Sequence, residues 1–214
     1  MSGTLQVGGI TLGTHNSGTG KVDITNAGTA DIANATITAG TIGSGVTGSG
    51  LITMFDQFYL ENTFASNAVV TPWTRVTAST HSGYSPLNTG LTESSGVFSF
   101  PETGLYLIQG SFHLQEVTGG DDNIGCRLQT TIDGGSSYKE IVRGYSEVST
   151  TQTTGHLGLG PTLINCTNTT NVKFRWVSVS ISGDNGLRGT NGETADNQDY
   201  IYTTFTTMRI GPSQ

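Results

Sequence analysis

The chain has 214 residues, a formal net charge of −7 and only 12% charged side chains, about half the usual share of roughly 25%. It contains no basic run to neutralise phosphates and no apolar stretch near the roughly 20 residues that cross a bilayer as a helix, so nucleic-acid binding and membrane insertion are not expected. Its polarity comes from Thr, Ser, Asn and Gly, a mixture suited to strands and tight turns rather than to a disordered chain.

The start, "MSGTLQVGG", lacks the basic region and apolar core of a secretory signal. Export by that route is not expected, whereas release by lysis as part of a virus particle would fit. Residues 1–50 hold no aromatic side chain and three charges, Lys21, Asp23 and Asp31, and the first aromatic is Phe55. This shift in composition marks a boundary between a segment 1–50 and a domain 51–214. Within the first segment Ile32, Ile37 and Ile42 recur every five residues and Val46 follows, separated by small and polar residues. Too few apolar side chains are present for one chain to offset an ordering cost of roughly 1–2 kcal/mol per residue. Two outcomes fit: a flexible linker, or an extended attachment stem in which several copies share a thin axis of Ile32, Ile37, Ile42 and Val46. "GSGVTGSG" (Gly43 to Gly50) reads as a hinge before the domain.

From residue 51 onward the chain alternates as half-buried antiparallel strands do. In "LYLIQGSFHL", Tyr106, Ile108, Phe112 and Leu114 share a face, with Gly110 between them. In "GCRLQTTID", Cys126, Leu128, Thr130 and Ile132 are predicted to share a face opposite Arg127, Gln129, Thr131 and Asp133. Val172, Phe174 and Trp176 alternate with Lys173 and Arg175, and Ile201, Thr203 and Phe205 oppose Tyr202, Thr204 and Met208. Both faces of these last strands carry bulky residues, and a second buried face follows if neighbouring subunits pack there. Turn-rich segments such as "DGGSS" and "NTTN" separate the strands, and no segment has helical periodicity, which predicts an all-β antiparallel jelly-roll sandwich. Cys126 and Cys166 read either as two small buried side chains or as a cross-strand disulfide, a choice that needs geometry.

The most ordered stretch is "SSGVFSFPETGLYLIQGSFHLQ" (Ser94 to Gln115). Pro101 ends the "VFSF" strand because it has no N–H for a ladder. Gly104 is predicted to take a positive φ and turn the chain, and Tyr106 restarts an inward-facing series. Gly96, Phe98, Pro101, Gly104 and Tyr106, with Phe205 in the closing "YTTFTTMRI", resemble the signature of tumour-necrosis-factor-like and complement-head-like jelly rolls. More narrowly, "DQFYL", "PWTRV" and "TGLTESSGVFSFPETGLYLI" resemble a domain of structural proteins of marine tailed bacteriophages, and "TLQVGGI" resembles the starts of phage fibre proteins. The resemblance covers roughly residues 51–212. It implies a homotrimer with aromatic inner sheets around a threefold axis, and a binding or structural role without catalysis.

The remaining polar residues offer little chemistry. His15, His81, His113 and His156 are scattered, with no partner at metal-ligand spacing. Glycoside hydrolysis needs two carboxylates facing one bond, and the acids of the domain fall mostly in turns; no Gly-x-Ser-x-Gly elbow is present. No cofactor is expected. Asp121, Asp122, Asp184, Asp196 and Asp199 could offer oxygen ligands to Ca²⁺, but their spacing fits solvated turns better than an EF-hand loop. The segment Ser182 to Asp199 is predicted to be an exposed loop without packing duty, which makes Asp184, Asn185, Arg188, Asn191 and Glu193 candidates for a binding surface. The expectation is a non-enzymatic phage virion protein on the head or tail surface, a short fibre or decoration protein. Its partners would be itself, other virion proteins through the stem, and a host surface glycan or protein. A bacterial cell-surface adhesin or lectin of the same fold is the alternative.

Overall fold

The computed structural model describes residues 4–7, 10–16, 21–23, 52–81, 83–116, 122–149, 153–183, 185–190 and 201–214, the first three groups and Asp122 by backbone only. The chain divides into two compact units, Met1–Val46 and Thr47–Gln214. In the first, β1 (Thr4–Val7), β2 (Ile10–Asn16) and β3 (Lys21–Asp23) form an antiparallel sheet in that order, with a bulge between Leu5 and Gln6. These strands pair within one chain. The proposed stem axis, Ile32, Ile37, Ile42 and Val46, lies outside the described residues.

The second unit is a sandwich of two antiparallel sheets. One sheet carries β11 (Thr154–Cys166), β8 (Gly104–Gln115), β14 (Thr204–Gly211), β4 (Met54–Leu60) and β5 (Trp73–Arg75) in that order, and β13 (Gly186–Leu187) pairs with the end of β8. The other carries β10 (Lys139–Val148), β9 (Asp122–Thr131), β12 (Lys173–Val179), β7 (Val97–Ser99) and β6 (Thr92–Ser94). The chain crosses repeatedly from one sheet to the other, the path of a jelly roll. β7 reaches only as far as Arg175 on β12, and the connection from β4 to β5 takes over the vacant edge. There Val69 bridges Val177, the Val70 N–H donates to the Trp176 carbonyl at 2.9 Å, and the Ser178 N–H donates to the Ala68 carbonyl at 3.1 Å.

The alternation in β8 is realised: Tyr106, Ile108, Phe112 and Leu114 are fully buried between the sheets. They meet Val172, Phe174 and Trp176 from β12 and the flank before it, and Phe58 and Met54 from β4. The expectation for β9 fails at its end. Ile132 is 79% exposed and Thr131 is buried, because the strand stops at Thr131 and its hydroxyl is used in the turn. It donates to Asp133 Oδ1 at 2.5 Å and accepts the Gly135 N–H at 3.2 Å. Cys126 and Cys166 are buried free thiols, and burial pushes the Cys126 thiol far above its ordinary range.

The corner uses its glycines differently from the sequence expectation. Ser95 and Gly96 have φ of 52° and 80°, the pair of positive values that a two-residue type I′ hairpin between β6 and β7 requires. The Glu93 carboxylate accepts the Gly96 N–H at 2.6 Å. Gly104 does not adopt a left-handed φ; it opens β8 in an extended conformation. What it supplies is room, since a Cβ there would meet the Arg209 side chain and would lie 2.9 Å from the Gly211 carbonyl. Beyond Pro101 the chain bends, and the Tyr106 hydroxyl donates back to the Glu102 carbonyl at 2.9 Å.

Candidate interaction surface

Phe98 is the hub of the motif residues. Its ring lies 4.8 Å from Phe205, 5.0 Å from Phe174 and 5.1 Å from Phe58, and Phe205 stacks on Phe58 at 5.4 Å. Phe100 packs on Tyr106 at 4.3 Å. These rings join the two sheets, so Gly96, Phe98, Pro101, Gly104, Tyr106 and Phe205 build the scaffold and expose no chemistry.

A second anchor escaped the sequence reading. Asp56 on β4 is fully buried, yet it is paired. Its Oδ1 accepts from Arg75 Nε and from the Gln57 N–H, each at 3.1 Å, and its Oδ2 accepts the Leu91 N–H at 2.8 Å. Arg75 also donates to the Leu91 carbonyl and lies 5.0 Å above the Phe58 ring. Burial raises the Asp56 carboxyl above its usual range, and Arg75 and the amides oppose that shift. The motif "DQFYL" thus supplies a buried carboxylate that ties β4, β5 and the approach to β6 together. A lone acid in an apolar run was its only sequence signal.

Outward from the core, strand register sorts the side chains of the β11-β8-β14-β4-β5 sheet into three bands. Leu163 faces Leu107, Leu107 faces Met208, Met208 faces Phe55, and Phe55 bridges Leu87. Directly opposed residues of an antiparallel pair point to the same side, so these five form one apolar row across the sheet. Leu163 is 54% exposed and Leu87 43%. The next band is polar: Gln109 faces Thr206, Thr206 faces Gln57, and Ser111 faces Thr204. Gln57 Nε2 donates to Thr204 Oγ1 at 3.0 Å.

At the far end of the same face lies a ring cluster. His113 and His156 sit directly opposite one another on β8 and β11, although they are widely separated in sequence. His156 Nε2 is 2.8 Å from the Ser111 hydroxyl, the Tyr202 ring is 5.2 Å from His113, and the Arg188 guanidinium lies 3.9 Å from the Tyr202 ring. Burial, then the charge of Arg188, then His156, lowers the pKa of His113 below its ordinary value. A histidine with a lowered folded-state pKa binds fewer protons when folded than when unfolded. Its contribution is therefore complete above the ordinary value near 6.5 and is lost as the pH falls below it. We expect a lower thermal midpoint at pH 5 than at pH 7.5, and His113→Gln should shrink that difference. Parallel profiles for the two proteins would remove His113 as the cause.

The predicted binding loop is only partly where it was expected. Asn185 is 1% exposed and Leu187 is buried. Residues 186–187 are clamped between β8 and Phe64, and the Leu187 N–H donates to the Phe64 carbonyl at 3.0 Å. Gly186 and Gly189 have no room for a side chain against the backbone of Phe64 and Asn62. This part of the segment packs, and Asn185 belongs to the interior. Arg188 does reach the surface cluster; Asp184, Asn191 and Glu193 lie outside the described residues. Asp121, Asp196 and Asp199 lie outside them as well, as does the Asp122 side chain, and no group of three His, Cys, Asp or Glu at metal-binding distance occurs among the described residues. A cleft of about 360 Å³ between Asn88, Thr89, Pro101 and Glu102 holds one carboxylate, and Arg209 Nε lies 3.5 Å from it.

No protein-family model matches this chain, and no curated protein matches it. Solved structures do. The structure of Eiger TNF from S. frugiperda superposes with a TM-score of 0.52 at 10% identity, over 77% of this chain and 96% of that one. Murine APRIL at pH 8.5 gives 0.50 at 11% identity, over 73% and 98%. At such identities the likeness concerns the fold: an all-β jelly roll of the tumour-necrosis-factor type.

Proposed function

We propose that the chain is a non-enzymatic structural protein of a bacteriophage virion, a homotrimeric short fibre or decoration protein. Its N-terminal residues attach it to the particle, and its jelly roll is exposed for contacts with the host surface or other virion proteins. The observation that supports self-association most directly is the apolar row Leu163, Leu107, Met208, Phe55 and Leu87. A sheet face turned to water normally alternates to polar side chains, and a continuous apolar band there is the kind of surface that subunits cover. A closed ring of identical copies buries it without leaving an open end. The phage setting is supported by the resemblance of Asp56–Leu60, Pro72–Val76 and Thr89–Ile108 to a domain of marine phage structural proteins.

Met208→Glu sets a charge in the middle of the band while sparing the core. It is expected to weaken association by about 3 kcal/mol per interface, roughly a hundredfold, and sedimentation should show monomers at micromolar concentration. The virion role is tested by mass spectrometry of purified particles and by deletion of residues 1–50. The deleted protein should remain folded and trimeric but be absent from particles; its continued incorporation would contradict attachment through that segment.

A further inference from the structure

We propose that the outward face of β10, β9 and β12, on the sheet opposite the apolar band, binds an acidic polysaccharide. This deepens the reading of the jelly roll as an exposed recognition module. The chain has nine Lys and Arg against a net charge of −7, yet four of the nine point outward from these three strands, Arg127, Arg143, Lys173 and Arg175, while Lys139 at the start of β10 faces Thr130 on the other side. Register fixes their arrangement. Arg143 faces Arg127 across β10 and β9, and Arg175 on β12 faces Gln129 on β9. Three carboxylates share the area. Glu140 is held by both Arg127 (3.3 Å) and Arg143, Glu147 lies two residues beyond Tyr145, and Asp133 is bound into its turn by Thr131 and Ser137. The cations remain in excess.

Aromatic rings are interleaved with them. Arg175 stacks 3.6 Å from the centre of the Tyr138 ring, and Arg143 donates to the Tyr145 hydroxyl at 3.0 Å. Tyr145 rests over Gly125, where a Cβ would lie 2.6 Å from its ring, and it stays 45% exposed. Arg127 Nε is buried without a hydrogen-bond partner. Planar guanidinium groups recognise carboxylates through paired N–H donors, and an exposed ring offers a platform for the apolar face of a sugar. Rigid strands hold both at fixed spacing, with little ordering cost on binding. A sheet face with so few cations offers neither the charge nor the groove fit that duplex nucleic acid demands. A repeating uronic acid matches both the charge and the rings.

The test is binding of the full chain to immobilised alginate, with dextran as the neutral glycan and duplex DNA as a polyanion without exposed sugar faces. Alginate should bind, more weakly as salt rises through the physiological range, and dextran and DNA should not. Arg143→Gln with Arg175→Gln should weaken alginate binding at least tenfold. Tyr145→Ala, which leaves the charge unchanged, should weaken it several-fold, and thermal unfolding would verify that each variant is folded. No binding to alginate at low salt, equal retention on DNA, or binding indifferent to both variants would overturn the assignment. None of these outcomes depends on the oligomeric mass, so a failure here is distinguishable from a failure of the trimer.

Discussion

Phe98→Ala is expected to lower the stability of the jelly roll by about 3–5 kcal/mol, the range for deleting a large aromatic side chain from a close-packed core. Phe98 has no exposed surface and contacts rings from both sheets: Phe58 and Phe205 on one side, Phe174 on the other. Removing it leaves a cavity between two rigid sheets that cannot close on it. For a domain of this size the thermal midpoint should fall by about 10 °C. Ile132→Ala serves as the control: an apolar residue of similar appearance in sequence, 79% exposed, whose loss should change stability by less than about 0.5 kcal/mol. Calorimetry on the two variants decides between a Phe98 hub and a core whose load is spread evenly.

Asp56→Ala is the second large effect. Truncating one partner of a buried ion pair costs about 3–5 kcal/mol, and here the Gln57 and Leu91 amides lose their acceptor as well. Arg75 is 38% exposed, so water can solvate the cation left behind, and the loss should sit near 3 kcal/mol. Asp56→Asn keeps an oxygen acceptor at the site and should lose less. Denaturant unfolding of the three proteins reads the order directly: wild type, then Asn, then Ala. Equal stability of the alanine variant and the wild type would remove Asp56 as an anchor.

Strand alternation was legible in the sequence along the interiors of the long strands. Tyr106 to Leu114 and Val172 to Trp176 face inward as their spacing indicates. It failed where a local hydrogen bond competed: the Thr131 hydroxyl turns into the Asp133 turn, and the pattern slips by one residue at Ile132. The glycines of the corner were read by type and not by need. The left-handed turn is at Gly96, whereas Gly104 serves close packing against Arg209. Segment 185–190 looked like a free loop because its polar composition hides backbone pairing with Phe64 and β8. The apolar band and the His113–His156 pair depend on the register between strands, including a bulge between Leu159 and Thr162. No spacing along a single strand encodes them. The same holds for the arginine–tyrosine face, whose members come from three strands.

Association through the band at Leu163, Leu107, Met208, Phe55 and Leu87 is tested most directly by the mass of the purified protein in solution. Light scattering on the full chain at neutral pH should give about three times 22.4 kDa, stable on dilution into the low micromolar range. A mass of 22.4 kDa at every concentration would contradict it.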